Sequence, residues 1–183
     1  MTNNPGAEKD ERTSDFGLFT MDKDEYGEEY NAHLLDEYKL FVGLMDKISE
    51  RRLTANTFFL TANTLLVSGL GALSIFHYAT LVWYSVVLVL ASLAGMLLCW
   101  EWRAIIISYG QLNTGKFKII HSIEERLPLD LFRAEWKALG EGKSPATYKP
   151  VTSVEIRIPV IFMLMYALIF VTALASLIFG SGL

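Results

Sequence analysis

Three runs of the chain, Phe58 to Phe76, Leu81 to Trp100 and Pro159 to Phe179, contain no Asp, Glu, Lys or Arg. A helix rises about 1.5 Å per residue, so each run is long enough to cross the roughly 30 Å of hydrocarbon in a bilayer. In a chain of 183 residues, three such segments leave too little polar sequence to wrap them as the core of a soluble domain. The expected fold is therefore an all-α integral membrane protein with three transmembrane helices. An acidic disordered tail covers 1–30, and an amphipathic cytoplasmic helix over 31–53 continues into the membrane. Transmembrane helices follow over 54–78, 79–100 and 157–180, with a cytoplasmic helical region over 101–156. Composition agrees, since 52% of residues are hydrophobic and the mean hydropathy of +0.32 exceeds that of ordinary soluble domains.

Orientation follows from the basic residues. Residues 1–53 hold seven Lys and Arg and residues 101–157 hold nine, while His77-Tyr78-Ala79-Thr80 and Gly180-Ser181-Gly182-Leu183 hold none. The positive-inside rule then places the N-terminus and the middle segment in the cytoplasm, with the tight turn and the C-terminus facing outward. Trp100 and Trp102 at one interface, and Tyr78, Trp83 and Tyr84 near the other, fit aromatic belts. The start of the chain is acidic and lacks a basic n-region followed by an apolar h-region, so the first span is expected to do the targeting. A lone cysteine, Cys99, excludes an intramolecular disulfide and any multi-thiolate metal site.

Leu34, Tyr38, Phe41, Met45 and Ile48 recur at steps of four and three, on one face of a helix. No Gly pair or Pro separates them from the first span, which predicts a single rod from about Asn31 to Phe76. These five residues are the expected stalk contacts, either with the other cytoplasmic helices or with copies of the chain. The second span should also run inward, with a kink or restart at Asn113-Thr114-Gly115. A short helix from an Asp130 N-cap to Leu139, stopped by Gly140, follows. Thr152-Ser153-Val154-Glu155 has capping-box spacing, and Pro159 is placed to bend the third helix. Each span carries charge at its cytoplasmic end: Arg51 and Arg52, Glu101 and Arg103, Glu155 and Arg157. Interface anchoring explains most of them, with Glu101 and Glu155 available to arginines of neighbouring helices.

Signals for chemistry are few. His121 and Glu124 stand at i, i+3, which supplies half of a metal site. With no second such pair, the expectation is a solvated helix face and no metal ligands. GxSxG, P-loop and HExxH motifs and paired intramembrane carboxylates are all missing from the sequence, so no enzyme, catalytic residue or cofactor site is expected. The expected partners are the lipid bilayer, further copies of the chain and a cytoplasmic protein, with no nucleic acid.

The entry to the first span repeats itself: Thr54-Ala55-Asn56-Thr57, then Thr61-Ala62-Asn63-Thr64, with a seven-residue period. At about 100° per residue, Thr57, Thr61, Thr64, Ser68 and Gly71 share a stripe roughly 80° wide, and Asn56 and Asn63 form a second line about 100° from its centre. A heptad period keeps a side chain facing one partner in a left-handed bundle. Three readings stand open. The Thr stripe packs on another span while the Asn line is satisfied between subunits; one line faces a wet central cavity as a pore lining; or the polar residues hold a lipid head group or small ligand. Tyr166 lies at a depth similar to that of Asn63, which predicts a hydrogen bond from its hydroxyl to the Asn63 amide.

The chain resembles the RipA family of octameric bacterial membrane proteins. The resemblance rests on EYKLFVGLMDKISERRLTANTFFLTANT, SYGQLNTGKFKIIHSIEERLP and AEWKALGEGKSPATYKPVTSVE, and covers roughly residues 30 to 180. It implies a homo-octamer in the inner membrane of Gram-negative bacteria with a cytoplasmic helical region, so that the outward-facing C-terminus is expected in the periplasm. The family takes its name from a factor required for intracellular growth of a pathogen, and it brings no catalytic motif. The function expected is a scaffolding assembly, with a channel or pore-forming effector lined by polar residues of the first span as the alternative.

Overall fold

The computed structural model describes residues 17–73 and 81–179. The turn carrying His77 and Tyr78 lies outside the described residues, as do positions 1–16 and 180–183. Helices α1 (Lys23–Tyr26), α2 (Tyr30–Leu73), α3 (Leu81–Glu124), α4 (Leu131–Ala138), α5 (Val151–Glu155) and α6 (Arg157–Phe179) follow in order, with a 3-10 turn at Gly140–Gly142 between α4 and α5. The described residues contain no strand. Three helical stretches, Tyr30–Leu73, Val82–Glu124 and Val151–Phe179, are long and apolar enough to cross a membrane. With 44 residues each, α2 and α3 reach about 66 Å, twice the hydrocarbon thickness. Each is longer than a single crossing needs, and α4 and α5 pack against α3.

Both other long helices pack on α3. One core cluster joins Phe59 of α2 to Trp102 and Ile106 of α3, and the Phe59 and Trp102 rings stack at 6.0 Å and 7°. A second, deeper cluster joins Leu70, Cys99 and Tyr166, one from each span. Tyr166 lies flat over Gly95, where a β-carbon would stand 2.5 Å from the ring. Any side chain there would hold α3 and α6 apart.

The stalk stripe turns inward. Leu34 and Met45 are buried and Tyr38, Phe41 and Ile48 are half-buried. Tyr38 donates to Glu124 at 3.0 Å, and the ammonium of Lys116 sits 4.6 Å from the centre of the Phe41 ring. Leu35, Leu40 and Leu44, which flank this stripe, are exposed.

Four local expectations differ from the structure. Residues 17–30, assigned to a disordered tail, fold back on α2 and on the turn after α3: the Tyr26 hydroxyl meets His33 Nδ1 at 2.8 Å, and Phe19 lies beneath the Arg126 guanidinium at 3.3 Å. Two aromatic anchors outweigh the local acidity. Helix α3 runs unbroken through Asn113-Thr114-Gly115. A glycine in a helix interior costs about 1 kcal/mol relative to alanine, less than the hydrogen bonds an interruption would forfeit. Asp130 precedes α4 but makes no side-chain cap. Its carboxylate turns to Arg133, and Glu124 accepts the Phe132 N–H in its place at 3.0 Å. Thr152 and Glu155 likewise form no capping box, because both bind Arg52 of α2. Pro159 lacks the N–H that would bond the Glu155 carbonyl, and the helix is interrupted at Ile156, between α5 and α6.

Candidate functional site

The asparagine line forms a seam inside the subunit. Asn56 Oδ1 accepts from Trp102 Nε1 at 2.8 Å. Two turns deeper, Asn63 is 0% exposed. Its amide nitrogen donates to the Phe59 carbonyl at 2.8 Å, and its amide oxygen accepts from Cys99 Sγ at 3.3 Å. The Tyr166 hydroxyl reaches the backbone carbonyl of Asn63, at 3.3 Å, and not the amide predicted from depth. Asn63 thus joins all three spans, its side chain to α3 and its backbone to α6. The sequence reading missed Cys99 and Trp102 as partners. An antiparallel α3 with Trp102 level with Asn56 carries Cys99 one turn deeper, toward Asn63, so the signal was present in the helix spacing.

This differs from the expectation that the Thr stripe packs on another span of the subunit while the Asn line is satisfied between subunits. Thr57, Thr61, Thr64, Ser68 and Gly71 are exposed in the subunit. Thr54, Thr57 and Thr64 donate to the carbonyls of Glu50, Leu53 and Leu60 at 3.0, 3.0 and 2.8 Å. A threonine satisfies itself on its own helix, whereas an asparagine amide has more donors and acceptors than its own helix can serve. The demanding group consequently takes the interior.

At the polar end of the spans, Arg52 clamps α2 to α5. Its Nε donates to Glu155 Oε2 at 2.8 Å, its terminal nitrogen also pairs with that oxygen, and it donates to Thr152 Oγ1 at 3.1 Å. The side chains are only 16% and 22% exposed, so solvent screens this pair less than a surface one. Arg51, Glu101, Arg103 and Arg157 are exposed.

A second polar cluster closes the far end of α3. Glu124 is 1% exposed, contrary to the solvated face expected of His121-Ser122-Ile123-Glu124. One carboxylate oxygen, Oε1, accepts from the Tyr38 hydroxyl and the Phe132 N–H, both at 3.0 Å. The other, Oε2, has no hydrogen-bond partner and lies 3.7 Å from His121 Nδ1, itself buried without a partner. Asp130 divides its carboxylate in the same way: Oδ2 pairs with Arg133 Nε at 3.2 Å, while Oδ1 is buried without a partner. Burying one unsatisfied acceptor costs about 1–3 kcal/mol. Burial and the Glu124 bond raise the Tyr38 hydroxyl to about 12, so Tyr38 remains a donor at neutral pH. Arg133 is held further into its charged range by its hydrogen bond to Glu125.

These features define the class: a multi-pass helical membrane protein whose three spans are tied by a buried polar seam, with a helical layer at their polar end. The model of the octameric membrane protein family, 8xMP, matches residues 35–175, and the chain belongs to that family. Its working unit is accordingly an assembly of its own copies. No curated protein and no solved structure matches the chain.

Proposed function

We propose that this protein is a non-enzymatic scaffold of the bacterial inner membrane, an octamer whose helical layer lies in the cytoplasm and binds a protein partner. The distribution of Lys and Arg supports an N-terminus inside and a C-terminus outside. The narrower likeness to the RipA proteins supports the inner membrane of a Gram-negative bacterium. One observation carries the scaffold reading: the two asparagines, the most polar side chains of the first span, are bonded within the subunit. Among what α2 presents outward is a stripe of small residues in which Thr57 and Thr64 are already bonded to their own helix. Such a face suits close packing against a neighbouring copy, where interhelical contact comes from van der Waals fit.

The exposure of Thr57, Thr61, Thr64 and Ser68 also supports the second reading, a pore in which this face lines the axis. Reconstituted liposomes separate the two. The scaffold stays impermeable to ions and small solutes under applied voltage. Conductance that falls when Thr64 is changed to leucine, with the oligomer intact, would overturn it in favour of the pore.

A further inference from the structure

We infer that His121, Glu124 and Asp130 form a binding site for a divalent first-row transition cation at the junction of α3 and α4. His121 Nδ1, Glu124 Oε2 and Asp130 Oδ1 are all buried and without a hydrogen-bond partner in the protein. One ligand atom from each of these three residues lies within 4.8 Å of the other two. Three residues that each bring a ligand atom to a common point, and that each bury a polar atom without a hydrogen-bond partner, are what a cation site requires.

The surroundings divide the work in the manner of a metal site. Each acid spends one oxygen on the protein and keeps the other for the shared point. Glu124 Oε1 is fixed by Tyr38 and the Phe132 N–H, and Asp130 Oδ2 by Arg133. Outer partners of this kind orient metal-binding carboxylates. The Tyr38 hydroxyl comes from α2, so the site also ties the stalk to the α3–α4 junction. Arg133 is engaged by Asp130 Oδ2, Glu125 Oε1 and the His121 carbonyl, at 3.2, 2.8 and 3.4 Å. It is directed to the rim of the cluster, and the three inner atoms are left to the ion.

One imidazole nitrogen and two carboxylate oxygens select Zn2+, Mn2+ or Fe2+. The absence of thiolate disfavours Cu(I), and Ca2+ wants six to eight oxygens. Two carboxylates neutralise the charge of a divalent ion. Only three protein ligands converge, and further positions would be filled from solvent or by a partner. The spacing His121-x-x-Glu124 is the part visible in sequence; Asp130 reaches it through the turn at Leu127-Pro128-Leu129.

The test uses the untagged full-length protein, purified as its oligomer and stripped with chelator. It is then equilibrated with Zn2+ or Mn2+, and metal content and affinity are measured by elemental analysis and Mn2+ EPR titration. Near one ion per chain is expected. Affinity should fall at least 10-fold in Asp130→Asn and in His121→Gln, and by about 10-fold in Tyr38→Phe, which removes only an orienting contact. His33→Gln should bind as the wild type does. Asp130 and His121 are less buried than Glu124, so these variants are the ones to compare while still eluting as the wild-type oligomer. Failure of the wild type to retain either ion would overturn the site. So would uptake unchanged in both Asp130→Asn and His121→Gln.

Discussion

Replacing Gly95 with alanine tests the contact that brings the second and third spans together. The added methyl would lie 2.5 Å from Cε1 and Cζ of Tyr166 and 2.6 Å from Cε2. Carbon atoms in contact prefer about 3.5–4.0 Å, so the ring must retreat by about 1 Å. Tyr166 is fully buried and its hydroxyl is already 3.3 Å from the Asn63 carbonyl, so that retreat strains packing and loses the bond. Overpacking costs about 1–3 kcal/mol and a lost hydrogen bond about 0.5–1.5. Alanine recovers about 1 kcal/mol through its better helix propensity. The net expectation is a destabilisation of about 1–3 kcal/mol, read as a shifted midpoint in SDS-induced unfolding from mixed micelles. Gly115→Ala is the control, since nothing lies within 4 Å of its added methyl and the helix should gain up to about 1 kcal/mol. A double-mutant cycle of Gly95→Ala with Tyr166→Ala should show strong coupling. A Gly95→Ala protein as stable as the wild type would refute the described contact.

Two further outcomes follow from the polar groups. Asn63→Leu removes the side chain bonded to Phe59 and Cys99, and stability should fall by about 1–3 kcal/mol while liposome permeability is unchanged. A conductance change with unaltered stability would contradict the buried placement of that line. Glu155→Gln leaves Arg52 half-buried without its charged partner, and should cost about 1–3 kcal/mol in the same unfolding assay. A loss no larger than that of Glu101→Gln, at an exposed position, would mean that the clamp contributes nothing.

Three spans were legible because uncharged runs of membrane length have one low-energy use. The unbroken α2 was legible for a similar reason, since nothing in 30–73 stops a helix. Periodicity also separated Thr57, Thr61 and Thr64 from Asn56 and Asn63 in angle. It could not say which line faces α3, because rotation of a helix is set by its neighbours. Thr152 and Glu155 were misread as a local cap for the same reason: their partner, Arg52, lies 100 and 103 residues away. At the carboxylate cluster, His121 and Glu124 were visible as a pair. Asp130 follows a turn, however, and Glu124 is bonded to Tyr38, which arrives from α2. Local spacing records angles along one helix, and the omitted partners all came from another.

In the proposed scaffold the asparagine line meets protein within the subunit and the threonine face meets protein between subunits. A nitroxide attached at Thr64→Cys tests it directly, with Cys99→Ser keeping a donor for Asn63. Power saturation in the reconstituted oligomer measures access of oxygen and of a water-soluble nickel complex to the label. Low access to both is the predicted result, since only a packed protein contact excludes each. High access to the nickel complex would place the face on water and contradict the scaffold; high access to oxygen alone would place it on lipid and move the subunit contact elsewhere.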